Sequence, residues 1–298
     1  MKAVLLAGGK GTRLWPITQG LNKHFLPIYD KPMIYYSLST IMLAGIRDIM
    51  LVCDPASLAH YQALLADGTQ WGLRLTYKVQ VEPDGIPSGL VLARDFISDD
   101  KVMFILGDNL LIGNFAGRYF REFTNQNGAM IFTKTVSDPI NFGIITYGTN
   151  QEIVAIEEKP LSSVSNQAIT GIYFLDESAT DRAATLKKSL RGEFEMVDVL
   201  NSYHTDSSLF AKSLPIGTVW LDTGSISGIS EASEYVRIIQ NRQSIVISSP
   251  ESIALYNSWI SRSDFELLVE KMPNSHYKSS LVSTHSQTEM DLLSGHNE

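Results

Sequence analysis

The residues best placed to do chemistry begin the chain, in a glycine-rich turn that follows a short apolar run. The turn spans residues 7–12 and reads AGGKGT, and its glycines let the backbone adopt positive φ and approach a ligand closely. A turn of this kind can aim several N–H groups at one anion, beside which Lys10 and Arg13 add positive charge. It matches neither the dinucleotide fingerprint nor a Walker A loop. This composition favours phosphate binding over a plain strand-to-helix turn.

Two aspartates, Asp108 and Asp222, each follow an apolar stretch that is typical of a strand. An acid just beyond the carboxyl end of a parallel strand lies where open α/β sheets bind ligands. The alternative is structural, because an aspartate in this position can cap the helix that follows. Both loops can reach one site if they lie at the same edge of the sheet, and both interpretations stay open.

Apolar runs and helical periodicity alternate along the first part of the chain, and the centre is richer in strands. Strands are predicted at residues 3–6, 48–52, 73–79, 102–106, 129–135, 143–147, 153–157, 169–174 and 209–214. Helices are predicted at residues 32–44, 57–65, 89–96, 229–240, 252–259 and 264–272. Strands that alternate with helices form right-handed βαβ units, so we expect an α/β fold with a mainly parallel sheet.

The overall composition is that of an ordinary globular protein, with 298 residues of which 44% are hydrophobic and 19% charged. This length allows one large domain, or one domain with a smaller appendage. The single cysteine, Cys53, excludes an internal disulfide and lies in an apolar run, which favours a buried inert thiol. We find neither a stretch long enough to span a membrane nor a signal peptide, so we expect a cytoplasmic protein with no membrane partner.

The distribution of charge bears on the partners of the protein. A net charge of −8 argues against a nucleic-acid partner. An anionic substrate can still bind where cations are gathered, so the positions of individual lysines and arginines matter more than the total. Two charged clusters, at residues 157–160 and 191–195, are each typical of a solvated surface when taken alone.

Residues 245–298 differ in character from the rest of the chain, being serine-rich and ending in a dozen polar residues that we expect to be frayed. They nevertheless carry many apolar side chains for an accessory segment, namely Ile253, Leu255, Trp259, Phe265, Leu267 and Leu268. These side chains either contact another subunit or fold back on their own, and the first interpretation predicts a homo-oligomer.

Several strings of the sequence, taken in order, resemble those of the sugar-nucleotide pyrophosphorylases, over about residues 1–260. The matching strings are LAGGKGTRL, NKHFLPIYDKPMIYY, DGTQWG, QVEPDG, LGDN, FG, EEKP, TGIYF, RGEFE and WLDTG. The resemblance implies a Rossmann-like mixed, mainly parallel sheet with helices on both faces, a strand-rich sugar-binding insertion and a small helical C-terminal region. It also implies a core at 1–244, divided at about 125 into a nucleotide-binding half and a sugar-phosphate-binding half, and an accessory segment at 245–298.

The activity implied by the resemblance is nucleotidylyl transfer from dTTP to a sugar 1-phosphate, which is glucose 1-phosphate in the members that this chain resembles most. A phosphate oxygen of the sugar attacks the α-phosphorus, pyrophosphate leaves, and Mg²⁺ assists, so that no serine or cysteine nucleophile is needed. A UTP-using or different-sugar enzyme is the alternative within the family, and a catalytically silent sugar-nucleotide sensor is the alternative of another class. The resemblance further implies a homotetramer.

The resemblance also assigns residues to the parts of such a site. Nucleotide binding is implied for Gly8, Gly11, Thr12, Arg13, Gln80, Gly85 and Asp108. Catalysis is implied for Arg13, Lys23 and Asp108. Metal binding is implied for Asp108 and Asp222. Sugar-phosphate binding is implied for Gly143, Glu158, Lys159, Ile169 and Glu193.

Three departures from the family pattern leave parts of this assignment open. His24 follows Lys23 where the family usually has glutamine, within a Ser-Lys-Gln string that reads Asn-Lys-His here. Ser88 lies in the string Ile-Pro-Ser-Gly, where Leu-Ala-Gln-Ala is common. Tyr256 stands where an arginine is common. The choice of nucleotide, the choice of sugar and any regulatory nucleotide site are therefore left undecided.

Overall fold

The computed structural model describes residues 1–9, 11–113 and 115–294, with the side chains of its last helix described as far as Ser286. Lys10 of the glycine-rich turn lies outside the described residues, and so does the very end of the tail that we expect to be frayed. The strands are β1 Lys2–Ala7, β2 Pro27–Ile28, β3 Lys31–Pro32, β4 Asp48–Cys53, β5 Arg74–Val79, β6 Val102–Leu106, β7 Asn109–Ile112, β8 Ala129–Thr135, β9 Gly143–Tyr147, β10 Ile153–Glu158, β11 Gln167–Leu175, β12 Leu209–Ser213 and β13 Val219–Asp222. The helices are α1 Ile34–Leu43, α2 Leu58–Leu65, α3 Pro87–Leu92, α4 Arg94–Ile97, α5 Ala116–Thr124, α6 Ala179–Ala184, α7 Met196–Thr205, α8 Ile226–Gln243, α9 Pro250–Tyr256, α10 Arg262–Glu270 and α11 His276–Ser294.

One large mixed sheet organises the molecule, in the order β5-β4-β1-β6-β11-β8-β12. Pairing is parallel from β5 to β6, and antiparallel where β11 pairs with β6 and with β8. The β9–β10 hairpin pairs with the start of β11. This arrangement confirms the predicted α/β class and its Rossmann-like mixed sheet.

The central strand β1 determines where a ligand can bind. After β1 the chain passes to β4 and β5 on one side, and then crosses to β6 on the other. In open α/β sheets the crevice for ligands lies at such a reversal of strand order, outside the carboxyl ends of the strands. The carboxyl ends of β1 and β6 carry the glycine-rich turn and Asp108, so the fold brings these two segments together.

Helices cover both faces of the sheet, because β1 is apolar on both sides. Leu5 packs in one core with α1, α2 and α5, and its neighbour Val4 packs in a second core with α3, α6 and α7. Both side chains are fully buried. Complete burial of one such side chain contributes about 1.5–3 kcal/mol, which holds β1 and the turn that follows it in place.

A separate two-stranded ribbon contains Asp222, so the expectation that both aspartates follow strands of the main sheet is wrong for this residue. Asp222 does not follow a strand of the main sheet but is the last residue of β13, which pairs antiparallel with β7. In this register Asp222 lies opposite Asn109, the residue after Asp108. The helix-capping interpretation is wrong for both acids, because β7 follows Asp108 and the side chain of Ser225 caps α8.

The C-terminal helices fold back largely on their own subunit. Ile253 joins the core beneath α1, and Phe265 is buried in a small cluster formed by the last helices. Leu267 remains 53% exposed and Tyr256 78% exposed. Among the described residues, the structure contains no helix with the length and apolar character needed to cross a bilayer.

Candidate active site

The largest concentration of predicted site residues lines one cleft at the carboxyl ends of β1 and β6. A cavity of about 240 Å³ there is lined by Gly8, Arg13, Lys23, Asp108, Gly143, Glu158, Lys159, Ile169 and Asp222. An adjoining cavity shares Gly8 with it and is also lined by Gly11, Thr12, Gln80, Gly85 and Glu193. The structure thus brings every predicted site residue into one of two neighbouring cavities.

The glycine-rich turn requires glycine for two physical reasons. Gly9 and Gly11 have φ of 100° and 58°, in the region that L side chains rarely adopt. A Cβ at Gly11 would also lie only 2.9 Å from the side chain of Thr18, whose hydroxyl donates to the Gly11 carbonyl at 2.8 Å. The turn is therefore held tightly, with the exposed side chain of Arg13 at its end.

Lys23 and Asp108 form an ion pair at the centre of the cleft. Their side chains are only 15% and 14% exposed. The second oxygen of Asp108 accepts a hydrogen bond from Asn109 Nδ2 at 3.2 Å. Burial by itself would raise the pKa of Asp108, but the charge of Lys23 and its hydrogen bond hold that pKa well below the usual range. The carboxylate is therefore ionised at every physiological pH.

Asp222 lies beside this pair and has the opposite shift. Burial, followed by the nearby charge of Asp108, raises the pKa of Asp222, and the positive charge of Arg13 partly offsets both. Arg13 is close by, because a Cβ at Gly224 would lie 2.7 Å from Arg13 Nη2 and 3.1 Å from Asp222 Oδ1. Two carboxylates that repel each other in this way favour a bound cation.

The donor set of the cleft limits which cation fits. Across the part of the chain that the structure describes, no group of three or more histidine, cysteine or acidic side chains could enclose a metal ion. Asp108 and Asp222 offer only two carboxylates. Mg²⁺ usually takes one or two carboxylates and completes its octahedral shell with water and substrate phosphates. The two aspartates therefore fit a magnesium ion that a phosphorylated substrate shares.

The adjoining cavity combines a buried amide with a close approach of two backbone segments. Gln80 is buried at its floor, and its Oε1 lies 3.2 Å from the position of a Cβ built on Gly8. Gly85, with φ of 111°, lies so close to Phe194 that a Cβ would come within 2.2 Å of the Phe194 carbonyl oxygen. Glycine at this position therefore lets the chain at Gly85 pack directly against Phe194, beside an amide that can both donate and accept.

Another side of the cleft is formed where the two charged clusters meet. Arg191 lies within 3.4 Å of both Glu158 and Glu193 and within 3.5 Å of Glu195. Lys159 pairs with Glu158 at 3.4 Å. The two clusters therefore do not stand alone: they contact each other at the cleft while most of their side chains remain partly exposed. Glu193, expected at the sugar phosphate, lines the adjoining cavity.

The sequence of this chain is similar to those of known enzymes over most of its length. The sequence model of a family described as "Nucleotidyl transferase" matches residues 2–237. The chain belongs to the nucleotidyl transferase family. It is 42% identical to the glucose-1-phosphate thymidylyltransferase of Neisseria meningitidis serogroup A, over 95% of this chain and 98% of the relative. It is 40% identical to the enzyme of that name from Mycobacterium tuberculosis, over 91% and 93% of the two chains.

Solved structures agree with this membership. A glucose-1-phosphate thymidylyltransferase structure from Bacillus anthracis, in complex with sucrose, matches with a TM-score of 0.75 and 36% identity, over 80% of this chain and 95% of that one. A UDP-glucose pyrophosphorylase complexed with UDP-glucose matches with a TM-score of 0.71 at 23% identity, over 80% and 98%. The second likeness shows the fold alone. The predicted resemblance to sugar-nucleotide pyrophosphorylases is thus confirmed.

Sequence reasoning missed the wall of the cleft in this nucleotidyl transferase. The buried amide oxygen of Asn109 accepts from Trp220 Nε1 and from the Gly171 N–H, the latter at 3.3 Å. The Trp220 ring packs edge-on against Phe142 with centroids 5.3 Å apart. Asn109 and Trp220 lie in the strings LGDN and WLDTG, from which the prediction used only the acids. The position of both residues beside the predicted acids was the signal that could have identified them.

Proposed function

We propose that this nucleotidyl transferase joins glucose 1-phosphate to dTTP and releases pyrophosphate. The observation that carries the proposal is the arrangement of the cleft. The cations Arg13 and Lys23 and the pair Asp108 and Asp222 line one cavity together with Glu158 and Lys159, and the adjoining cavity contains the amide of Gln80. Relatives of that name at 40–42% identity support the choice of substrates.

The reaction is an in-line displacement in which the protein positions and neutralises charge. A phosphate oxygen of glucose 1-phosphate forms a bond to the α-phosphorus of dTTP. The bond from that phosphorus to the bridging oxygen breaks, and its electron pair leaves with pyrophosphate. Lys159 holds the sugar phosphate while Lys23 stabilises the charge that develops around the α-phosphorus. The backbone N–H groups of the glycine-rich turn and Arg13 orient the triphosphate.

Asp108 and Asp222 hold Mg²⁺ in this proposal. The bound ion neutralises phosphate charge and orients the leaving group. Because Lys23 pairs with Asp108 and Arg13 lies beside Asp222, the phosphates of an arriving nucleotide would attract both cations, and the two carboxylates would then be available to hold the ion. An acidic protein can bind a polyanionic substrate in this way.

Pyrophosphate release tests the proposed function. The purified protein is incubated with Mg²⁺ and each combination of dTTP, UTP or CTP with a panel of hexose 1-phosphates. We expect the highest kcat/KM for dTTP with glucose 1-phosphate. A preference for UTP or for another sugar would show that the proposed substrates are wrong and the proposed type of reaction is right. No release with any pair of substrates would favour the catalytically silent sensor.

Gln80 is expected to determine the choice of base. Replacing Gln80 by alanine removes the buried amide beside Gly8, so we expect the KM for dTTP to rise by about tenfold and discrimination against purine triphosphates to weaken. Steady-state kinetics with dTTP and ATP measure both effects. Gln62→Ala, on the exposed side of α2, serves as the control. Unchanged selectivity in the Gln80 variant would contradict this assignment.

The segment after residue 244 is expected to mediate self-association. Tyr256, Leu267 and Val282 are 78%, 53% and 50% exposed on its helices. Apolar side chains that together form a contiguous exposed patch are typical of subunit contacts, and these helices are the part of the chain that the resemblance assigns to the oligomer. Sedimentation velocity at micromolar concentration should return a homo-oligomer, and a tetramer by resemblance to the family. A monomer at that concentration would contradict the prediction.

A further inference from the structure

A buried polar cluster adjoins the Lys23–Asp108 pair, and one of its members, His24, also lines the cavity that contains this pair. The cluster consists of His24, Asn22 and Asp54. His24 Nδ1 lies 2.7 Å from Asn22 Oδ1, and Asn22 Nδ2 donates to Asp54 Oδ2 at 2.8 Å. The His24 side chain is 1% exposed. The cluster therefore connects the turn that carries Lys23 to the end of β4.

The hydrogen-bond partners fix the orientation of every group in this cluster. The carboxylate of Asp54 only accepts, so the NH₂ of Asn22 must face it. The carbonyl oxygen of Asn22 then faces His24, where it accepts from the backbone N–H at 3.0 Å and from Nδ1. Nδ1 of His24 therefore faces an acceptor, and the imidazole also forms a hydrogen bond with the backbone carbonyl of Ala7.

The same ring also touches the strand end that carries Asp108. A Cβ at Gly107 would lie 2.8 Å from His24 Cδ2 and 2.9 Å from His24 Nε2, so the imidazole fills the space that a side chain would take. His24 is the chain neighbour of Lys23, and Gly107 is the chain neighbour of Asp108. One ring thus contacts both segments from which the ion pair is built.

We propose that His24, held by Asn22 and Asp54, is a positioning residue that fixes the segment carrying Lys23, so that the ammonium points into the cleft from the place where it pairs with Asp108 in the free protein. This inference rests on the proposed function for its kinetic consequence, but not for its structural one. It gives a physical role to His24, which stands where the family usually has glutamine: the ring supports the segment that carries the Lys23 cation. Displacing a reacting group by as little as an ångström is costly, so the expected effect is on kcat.

The kinetic test compares two substitutions that differ in one hydrogen-bond donor. His24→Leu removes the Nδ1 donor, and we expect kcat to fall by about tenfold with the KM for dTTP and for sugar phosphate changed by less than about threefold. His24→Gln keeps an N–H that reaches Asn22, and we expect its kcat to stay within about threefold of the parent. His204→Leu, on α7, is the control.

A second measurement reports on Lys23 without requiring any turnover. Brief acylation of the protein followed by mass spectrometry gives the labelling rate of each lysine. We expect Lys23 to be labelled about fivefold faster in His24→Leu than in the parent, because the ion pair opens more often. Lys101, whose ammonium donates to backbone carbonyls at the end of α5, should be unaffected.

These outcomes separate the inference from the proposed function. If the parent makes no sugar nucleotide but Lys23 labelling rises as expected, the positioning role stands and the proposed reaction is wrong. Unchanged Lys23 labelling in His24→Leu, or His24→Gln behaving like His24→Leu in both assays, would overturn the positioning role. Should His24→Leu fail to fold, Asn22→Ser keeps a cap for the turn but cannot reach Asp54, and the same labelling result is expected.

Discussion

Replacing Asp108 by asparagine is expected to lower kcat by about a hundredfold or more, and to lower the free energy of unfolding by about 2 kcal/mol because Lys23 loses its charged partner. Asparagine keeps the shape of the side chain and an oxygen that accepts from Lys23, so little packing is lost. It removes the negative charge that the proposed metal needs, and with it one preorganised electrostatic contact, worth about 2.7 kcal/mol or more in the transition state. Steady-state kinetics at saturating Mg²⁺ and denaturant unfolding measure the two effects.

Asp222→Asn should lower kcat in the same way, because both carboxylates line the same cleft. Asp181→Asn is a matched control, since Asp181 is 74% exposed and pairs with Arg94 on the surface. Helix capping no longer offers an alternative explanation for either acid. Turnover within a few-fold of the parent would therefore contradict the metal role of whichever aspartate showed it.

Replacing Lys23 by methionine is expected to lower kcat by about a hundredfold or more, because Lys23 is the cation closest to Asp108 at the centre of the cleft. Methionine preserves the length and apolar stem of the side chain. It leaves the carboxylate of Asp108 unpaired, so we also expect a loss of about 2 kcal/mol in the free energy of unfolding, less than for a fully buried pair. Kinetics and denaturant unfolding at neutral pH give the two values.

The stability loss of Lys23→Met should depend on pH in a defined direction. In the parent, the pKa of Asp108 is lower in the folded protein than in the unfolded chain, chiefly because Lys23 outweighs the effect of burial. The resulting stabilisation is complete above the ordinary aspartate pKa and disappears as pH falls through the folded value. The difference between parent and variant is therefore largest near neutral pH and narrows below about pH 4. A difference that grows on acidification would contradict this origin.

Much of the fold could be predicted because its strands are short apolar runs separated by glycine, proline and helical periodicity. The predicted strand at 102–106 has the same bounds as β6. The β7–β13 ribbon could not be predicted, because four-residue strands carry little periodicity and their pairing joins residues more than a hundred positions apart. Helix α11 was missed since its serines and histidines obscure an apolar face.

The candidate site was predicted mainly through the resemblance, because the family motifs identify which acidic and basic residues of this sequence belong to the site. Spacing in the sequence could not decide whether Asp108 and Asp222 bind a metal or cap a helix. The pairing of β7 with β13 shows that the two side chains belong to neighbouring segments. The role of Arg191 in joining Glu158, Glu193 and Glu195 depends on two distant loops that touch only in three dimensions. The support of Lys23 by His24 and Asn22 likewise depends on side-chain geometry that no spacing encodes.

The most direct test of the proposed reaction follows the oxygens of the sugar phosphate. Glucose 1-phosphate whose phosphate carries the heavy oxygen isotope is incubated with dTTP, Mg²⁺ and the protein, and both products are analysed by mass spectrometry. Attack by the sugar phosphate on the α-phosphorus predicts dTDP-glucose that retains all of the label and pyrophosphate that contains none. Label in pyrophosphate, or no labelled nucleotide sugar at all, would contradict the account.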